Sequence, residues 1–455
     1  MASVLVCSSP LVGHVTPMLA VAAGLVEHGH DVRFLTGKRF ERQVSQTGAS
    51  FIPLPPEADF DDTSLDAAFP GRVGLKGPKG IRFDIQEIFM RPGKAQYQAI
   101  LAASAERRVD AVLAESLFMG AALLLAGPAR NRPAVINCGI VPLSLASRDT
   151  APYGLGIEPM PGLPGRVRNR VMQALTEKVV FGPVQKYANE ISTDVTGSPF
   201  PTFFMDWPRA ADHIAQFTVA DFEYPRSDLP GTVHFVGPVS QGGKGTTDAT
   251  GSTGPADTTG SAVGTPGAEL PAWWSDLDAG RPVVHVTQGT VANRDFDDLV
   301  RPTLEGLAQD DVLVVVTTGG RPVDALSGPL PDNVRVASYL PYDELLPKTD
   351  VLVTNGGYGG VQFALRHGVP LVVAGQTEEK AEVSARVAWS GTGINLRTNR
   401  TTPEAVAKAV RTVLSNSSYR EASSRIGTAI RASRGVDELA DLVESVCSDR
   451  SLERE

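Results

Sequence analysis

The segment Val351-Leu-Val-Thr-Asn-Gly-Gly-Tyr-Gly-Gly-Val-Gln-Phe-Ala-Leu365 joins a short apolar strand to a helical pattern through a turn that holds four glycines. Gly368-Val-Pro then leads into a second apolar strand, which ends near Gly375. Glycines let backbone N–H groups approach an anion closely, and the start of the following helix adds its positive dipole end. Two interpretations fit this pattern: a phosphate-binding βαβ unit, or a tight turn that serves packing alone.

A second unit of the same type opens the chain, and it favours the phosphate-binding interpretation. Residues 3–36 are predicted as β-loop-α-β, with strands at Val4–Cys7 and Asp31–Thr36. The helix is predicted at Pro17–Glu27, with Thr16 as its N-cap, because a proline at the first helical position loses no hydrogen bond. Parallel strands joined by a helix indicate an α/β domain.

Size and composition limit the class of protein. With 455 residues the chain is expected to form two domains of roughly 200 residues each. The 42% of apolar and 20% of charged residues are ordinary for a soluble globular protein. The net charge of -9 and the pI of about 5.4 argue against a nucleic-acid partner. Three cysteines, an odd and scattered set, indicate neither a disulfide framework nor a zinc site.

The predicted location is the cytosol. The N-terminus runs directly into an apolar strand, without the basic segment of an ordinary signal peptide. The longest apolar stretch, residues 111–129, contains Glu115 and Ser116, so a strand followed by a buried helix explains it better than an integral membrane segment.

The chain is predicted to contain two Rossmann-like parallel-sheet domains that face each other across a cleft. Residues 1–235 form the N-terminal domain, whose long insertions at 72–98 and 152–196 are expected to shape an acceptor pocket. Residues 236–425 form the C-terminal domain, with a flexible loop at 241–267 that is rich in Gly, Ser and Thr. Residues 426–455 are predicted to form a C-terminal helix that returns to the N-terminal domain, followed by a frayed tail.

Two polar residues at strand ends could support proton transfer. His14 is predicted in the loop after the first strand, at the sheet edge where open α/β folds bind ligands. It could accept a proton from a hydroxyl group, or it could bond only to a backbone carbonyl. Glu115, at the end of the strand Ala111–Ala114, could fix the histidine tautomer from behind, or it could be a solvated loop acid.

The C-terminal half carries polar groups at comparable strand ends. Thr287-Gln-Gly-Thr290 follows one strand and suits a phosphate oxygen, although alone it indicates only a turn. Glu378-Glu-Lys380 follows another strand, where carboxylates could accept hydrogen bonds from sugar hydroxyls or could simply be solvated. All these features fall at the carboxyl ends of strands, which favours one site in a cleft between two sheets.

Several motifs in this order resemble the UDP- or TDP-sugar-dependent glycosyltransferases of the GT-B fold, a family that includes plant small-molecule enzymes and bacterial antibiotic and glycolipid enzymes. The resemblance covers nearly the whole chain. The residues that carry it are Gly13-His-Val-Thr-Pro17, Phe222-Glu-Tyr-Pro-Arg-Ser-Asp-Leu-Pro230, Val236-Gly-Pro238, Gly356-Gly-Tyr-Gly-Gly360, Gly368-Val-Pro370, Arg386-Val and Gly391-Thr-Gly393.

The resemblance implies a role for each matching position. The catalytic base falls on His14, and its supporting acid on Glu115, where the family usually has Asp. The implied donor-binding residues are Gly289, Thr290, Tyr339, Leu340, Asn355, Gly357, Tyr358, Gly359, Gly360, Glu379 and Lys380. Of these, the glycine-rich turn would face the diphosphate, and the segment around Tyr339 would stack on the nucleotide base of the donor. The predicted acceptor contacts are Gly13 and Phe118.

The sequence also departs from the family pattern. Asn355 stands where the glycine turn usually begins with His, and Gly360 replaces a phosphate-bonding Ser or Thr. Phe363 occupies the place of a ribose-binding Glu, while Lys380 replaces Gln and Glu379 keeps the acid of that pair. These changes concern the identity of the donor more than the class of reaction.

The sequence therefore predicts an inverting glycosyltransferase that moves a sugar from a UDP- or TDP-sugar to a hydroxyl group of an apolar small molecule or lipid. No cofactor or metal ion is expected, since the chain shows no Asp-x-Asp pair suited to Mg²⁺. Two alternatives remain open: a GT-B-like nucleotide-sugar epimerase, and a non-catalytic binder of a small molecule. A dehydrogenase is disfavoured because the first loop holds only one glycine.

Overall fold

The computed structural model describes residues 1–75, 77–239, 270–289, 295–326 and 328–452. Within these ranges the chain forms two α/β domains, one with a seven-stranded and one with a six-stranded sheet. Every strand pair in both sheets is parallel. The predicted fold class is confirmed.

The N-terminal sheet has the strand order β3-β2-β1-β4-β5-β6-β7. Its strands are β1 Ser3–Cys7, β2 Asp31–Thr36, β3 Ser50–Pro53, β4 Ala111–Glu115, β5 Ala134–Gly139, β6 His213–Gln216 and β7 Val233–Phe235. The helices of this domain are α1 Val12–Glu27, α2 Glu41–Gln46, α3 Leu65–Ala68, α4 Gly77–Phe83, α5 Gly93–Glu106, α6 Met119–Leu124, α7 Gly162–Leu175 and α8 Gly182–Thr196. Strands β1, β4 and β5 are almost entirely buried, as expected for a sheet covered by helices on both faces.

The C-terminal sheet has the strand order β10-β9-β8-β11-β12-β13. Its strands are β8 Val283–Thr287, β9 Leu313–Thr317, β10 Val334–Ala337, β11 Val351–Thr354, β12 Leu371–Val373 and β13 Gly393–Asn395. The following helices are α9 Val300–Leu307, α10 Tyr342–Leu345, α11 Tyr358–Arg366, α12 Lys380–Trp389, α13 Pro403–Ser415, α14 Ser417–Ala432 and α15 Val436–Leu452. Valine and leucine dominate β8, β9 and β11, and the side chains of these strands are buried on both faces.

The last helix, α15, belongs to the N-terminal domain. Leu439, Ala440 and Val443 pack with α1 and the first sheet in one hydrophobic core, and each is at most 1% exposed. Burial of a leucine or valine of this kind stabilises the fold by about 1.5–3 kcal/mol. The backbone N–H of Gly435 donates to the carbonyl of Val236 at 2.7 Å, so the two segments that leave and re-enter this domain lie side by side.

Three expectations are corrected or lie outside the structure. The first helix begins at Val12, not at Pro17, and Thr16 is an interior residue whose hydroxyl donates to the carbonyl of Val12 at 2.8 Å. The C-terminal helix that was predicted from residue 426 begins at Val436, because residues 426–432 belong to α14. The loop predicted at residues 241–267 lies outside the described residues. Among the described helices, none is long and apolar enough to cross a membrane.

Candidate active site

Both sheets reverse their strand order at one point, and the predicted site residues surround these two points. In the first sheet the reversal lies between β1 and β4, whose ends lead to His14 and Glu115. In the second sheet it lies between β8 and β11, whose ends lead to Gly289 and to the turn before α11. Open α/β sheets bind ligands in the crevice at such reversals.

His14 and Glu115 form a close pair at the first reversal. Nδ1 of His14 lies 3.1 Å from Oε2 of Glu115. Glu115 is completely buried, and its two carboxylate oxygens accept backbone N–H groups of Ser9 at 3.1 Å and Leu117 at 2.6 Å. His14 keeps 16% of its side chain exposed. Glu115 is therefore held from behind while one edge of the imidazole reaches solvent.

The pair favours its own charged form. Burial opposes the charge on both groups, but the nearby Glu115 carboxylate outweighs it and raises the pKa of His14 above its usual value. Burial alone would raise the pKa of Glu115, but the His14 charge and the two backbone N–H groups outweigh this effect, so that the pKa is lowered overall. Because Nδ1 faces the carboxylate, the lone pair of the neutral imidazole lies on Nε2, where it can accept a proton.

The sequence placed His14 in a loop, whereas it occupies the third position of α1. The helix start fixes its backbone, and Phe89 stacks on its ring with 5.7 Å between the centroids. Phe89 lies in the insertion expected to shape the acceptor pocket, but no pattern in the sequence singled it out. Glu378 and Glu379 of the second domain also raise the pKa of His14, which places their carboxylates within electrostatic range of the imidazole.

The glycine-rich turn forms the start of α11 at the second reversal. Gly357 is the N-cap, and Tyr358, Gly359 and Gly360 form the first turn, whose N–H groups have no intrahelical partner. A methyl group added at Gly359 or Gly360 would meet nothing within 4 Å, so both glycines border open space. The tyrosine differs, because the side chain of Tyr358 is 93% buried and belongs to the core.

Asn355 and Gly289 connect this turn to the end of β8. The side-chain amide of Asn355 donates to the carbonyl of Gln288. Gly289 has a φ of +72°, which disfavours any other residue, and a side chain there would point toward the Asn355 amide. Asn355 thus holds the two loops together and does not point freely at a ligand. Thr290 lies outside the described residues.

Tyr339 and Leu340 have different environments. Tyr339 is 41% exposed, and its ring lies against Gly320, whose positive φ and missing side chain make room for it. Leu340 is buried in a hydrophobic cluster with Leu345, so its side chain is not available to a donor. Phe363 packs edge-on against Tyr342 at 6.0 Å and extends the apolar surroundings of that region.

Glu379 and Lys380 mark the start of α12. Glu379 is its N-cap residue, and burial raises the pKa of its carboxyl group although Lys380 opposes this effect. Lys380 is 7% exposed and pairs with the carboxylate of Glu378, which has a φ of +56°. The ammonium group of Lys380 is therefore paired within its own loop, and the Glu379 carboxylate contributes to the raised pKa of His14.

The two predicted acceptor contacts, Gly13 and Phe118, have different environments. Gly13 is exposed, and nothing lies within 4 Å of an added methyl group, so it borders the open side of the site. Phe118 is completely buried in the core beneath α6. The prediction that Phe118 contacts an acceptor is therefore corrected, because its phenyl ring packs in the core and is not exposed. Among the described residues, no group of three His, Cys, Asp or Glu side chains could hold a metal ion.

Arg386 of the second domain contacts the segment of residues 222–230 across the domain boundary. The sequence did not predict this contact. The Arg386 guanidinium donates to Oε2 of Glu223 through Nε at 3.0 Å and Nη2 at 2.8 Å. Its Nη1 donates to Glu382 at 2.8 Å, and its charged end lies 4.3 Å from the Tyr224 ring centre. These groups are almost fully buried, so the two domains are joined here by compensated charges.

Two family models match separate parts of the chain. The model described as the glycosyltransferase family 28 N-terminal domain matches residues 12–125, which include His14 and Glu115. The model described as the C-terminal domain of erythromycin biosynthesis protein CIII-like proteins matches residues 301–445, which include the start of α11.

Several known proteins are similar to this chain over nearly its full length. A 4'-demethylrebeccamycin synthase from Lentzea aerocolonigenes is 41% identical over 447 residues, which cover 98% of this chain and 99% of that protein. UDP-glycosyltransferase 2 from Phaeomoniella chlamydospora is 34% identical over 460 residues, with 98% and 96% covered. The solved structure of the kitacinnamycin glycosyltransferase has the same fold, with a TM-score of 0.69, 21% identity and 98% of both chains covered.

Proposed function

The chain belongs to the nucleotide-sugar-dependent glycosyltransferases of the GT-B fold, and we propose that it transfers a sugar from a UDP- or TDP-sugar to a hydroxyl group of an apolar natural product. The observation that carries the proposal is the His14–Glu115 pair, 3.1 Å apart at the reversal of the first sheet and within electrostatic range of Glu379. The names of the relatives support a glycosyl acceptor of the natural-product class.

We propose a single displacement at the anomeric carbon. Nε2 of His14 takes the proton of the acceptor hydroxyl, the acceptor oxygen bonds to the anomeric carbon, and the bond from that carbon to the diphosphate oxygen breaks. Attack from the face opposite the leaving group inverts the anomeric configuration. Glu115 stabilises the imidazolium that forms, and the buried backbone contacts of Glu115 keep it ionised.

The diphosphate is proposed to bind at the start of α11. The N–H groups of Tyr358, Gly359 and Gly360 are free of intrahelical bonds, and the positive end of the helix dipole points the same way. Open space beside both glycines leaves room for the phosphates. This array would stabilise the negative charge on the departing diphosphate, so the proposed reaction uses neither cofactor nor metal ion.

Neither alternative is favoured by a specific observation. An epimerase or a non-catalytic binder would share the nucleotide site, but the relatives named above are a 4'-demethylrebeccamycin synthase and a UDP-glycosyltransferase. Incubation of the donor first without and then with an acceptor separates the three activities. An epimerase would change the sugar, a binder would leave it intact, and a transferase would consume it only when an acceptor is added.

The direct test is a transfer assay with UDP-glucose and dTDP-glucose against a panel of hydroxylated apolar aglycones. We expect acceptor-dependent release of one nucleotide and a glycoside whose anomeric proton coupling shows inversion. A product with retained configuration would contradict the single displacement and would point to Glu379 as a nucleophile. Failure of every donor to bind, measured by calorimetry, would contradict the nucleotide-sugar assignment itself.

A further inference from the structure

A loop of the N-terminal domain is attached directly to the donor side of the cleft. One carboxylate oxygen of Glu382, on α12, accepts the backbone N–H groups of Gly154 and Gly156, both at 2.9 Å. Its other oxygen is held by Arg386 at 2.8 Å, and Arg386 is itself fixed by Glu223. Because Glu382 is 4% exposed, this attachment is shielded from water.

The contact is close enough to require glycine. Gly156 has a φ of +59°, and an added Cβ would lie 2.7 Å from the carbonyl oxygen of Ala381. The loop backbone therefore rests on the first turn of α12, the turn that begins directly after Glu379. A loop placed in this way has little freedom to move its neighbouring side chain.

Tyr153 immediately precedes the attached glycines. It is half-buried, and its hydroxyl has no hydrogen-bond partner among the described residues. Burial raises the pKa of this phenol, and the carboxylates of Glu379 and Glu382 raise it further, so it stays neutral. The same Glu379 carboxylate acts on His14. The attachment of Gly154 and Gly156 to Glu382 sets Tyr153 beside the first turn of α12, which begins directly after Glu379.

We propose that Tyr153 binds the sugar of the donor from the N-terminal side, opposite Glu379. This inference rests on the function proposed above. A neutral phenol can donate and accept a hydrogen bond, and a carboxylate accepts, so the two groups together match adjacent sugar hydroxyls. The Glu382 attachment holds the phenol in place before the donor arrives. Tyr153 thereby gives the sugar a contact from each domain.

The experiment compares Tyr153→Phe with wild type and with Tyr419→Phe, which removes the same hydroxyl from α14 away from the cleft. Calorimetry measures the Kd of UDP and of UDP-glucose, and of dTDP and dTDP-glucose. Steady-state kinetics measure KM for the sugar nucleotide. For Tyr153→Phe we expect Kd and KM of the sugar nucleotide to rise about tenfold, the size of one lost hydrogen bond, with unchanged Kd of the free nucleotide.

Each other outcome overturns the inference. Sugar-nucleotide affinity within twofold of wild type would show that the hydroxyl makes no contact. An equal loss for nucleotide and sugar nucleotide would show that Tyr153 only supports the fold of the loop. If wild type binds sugar nucleotides but transfers nothing, the proposed function fails, while the difference between UDP-glucose and UDP binding still decides the role of Tyr153.

Discussion

The two strand reversals differ in the groups that they present: side chains at the first reversal and backbone N–H groups at the second. At the first reversal the proposed chemistry lies in side chains: Glu115 is 0% exposed, fixed by two backbone N–H groups, and lies 3.1 Å from His14. At the second reversal, Gly359 and Gly360 have no side chains, so the start of α11 borders open space. Proton transfer needs one atom at one position, whereas the charge of a diphosphate is spread over several oxygens that backbone N–H groups can meet together.

The strongest test of this division replaces the base. We expect His14→Ala to lower kcat/KM for transfer by about 10²- to 10⁴-fold, because no other group would accept the hydroxyl proton. Calorimetry should show unchanged affinity for UDP and dTDP, since the proposed nucleotide site lies at the other reversal.

His367→Ala is the matched control. That residue also lies next to a carboxylate, Asp343 at 3.4 Å, but it is on the far end of α11. Its activity should stay near wild type. Full transfer activity in His14→Ala would end the assignment of the first reversal to proton transfer.

A second test changes the charge behind the base. The raised pKa of His14 implies that kcat/KM falls as the pH drops through that pKa, because the protonated imidazole cannot accept a proton. Glu115→Gln removes the main cause of the increase, so this acid limb should move to lower pH. The plateau should fall by about 10- to 100-fold, less than for His14→Ala, because the base itself remains.

Glu379→Gln sharpens the same profile. Glu379 raises the pKa of His14 less than Glu115 does, so its removal should move the acid limb in the same direction by a smaller step. An acid limb that stays in place in both variants would mean that a group other than His14 controls the pH profile.

A smaller effect, on nucleotide affinity, is expected when a side chain is introduced at the second reversal. Gly360→Ser should tighten the Kd of UDP or dTDP by about two- to fivefold, because a hydroxyl fits the open space and adds one hydrogen bond to a phosphate. Gly359→Ser serves as the control, since its hydroxyl leaves the same helix about 100° away. Weaker binding for Gly360→Ser alone would show that the phosphates already fill this space.

The last test expects no change. If backbone N–H groups carry the diphosphate charge, transfer rates measured with excess EDTA should equal those with added Mg²⁺ or Mn²⁺. A loss of activity in EDTA that added Mg²⁺ restores would show that the site at the second reversal needs a cation. Backbone N–H groups would then not carry the diphosphate charge alone.

Sequence patterns were sufficient for the strands with continuous apolar side chains. Asp31–Thr36 was predicted with its observed limits, and Ala111–Glu115 to within one residue, because buried parallel strands have few polar positions. Strands β6, β7 and β13 escaped prediction because they have only three or four residues and include His, Gln and Asn. Such strands are specified by the neighbours they pair with.

The position of His14 shows how tertiary packing overrides a local signal. Thr16-Pro17 has the pattern of a helix start, yet α1 begins at Val12 because Val15 and Met18 bury their side chains in the core. A proline beyond the first turn costs a hydrogen bond, which the packing of α1 against the sheet and α15 outweighs. The sequence therefore located the residue at the correct edge but in the wrong local structure.

The limits of the site prediction have a different cause. Phe118 and Leu340 follow strands at the correct edges, but both side chains point into cores. A sequence shows the edge that a residue reaches, not the direction of its side chain. The link from Glu223 through Arg386 to Glu382 joins residues that are 163 positions apart, and no local pattern reports such a meeting.

The return of α15 to the first domain gives the polypeptide an unusual connectivity. Both ends of the described chain belong to one domain, so the other domain is a topological insertion, which follows Val236 and ends between α14 and α15. The entry and exit segments touch at Val236 and Gly435. The second domain is therefore connected to the first by two adjacent segments, in addition to the buried contacts of Arg386. Removal of α15 is therefore expected to uncover the core of the first domain, where Leu439 and Val443 are buried, and to leave the core of the second domain unchanged.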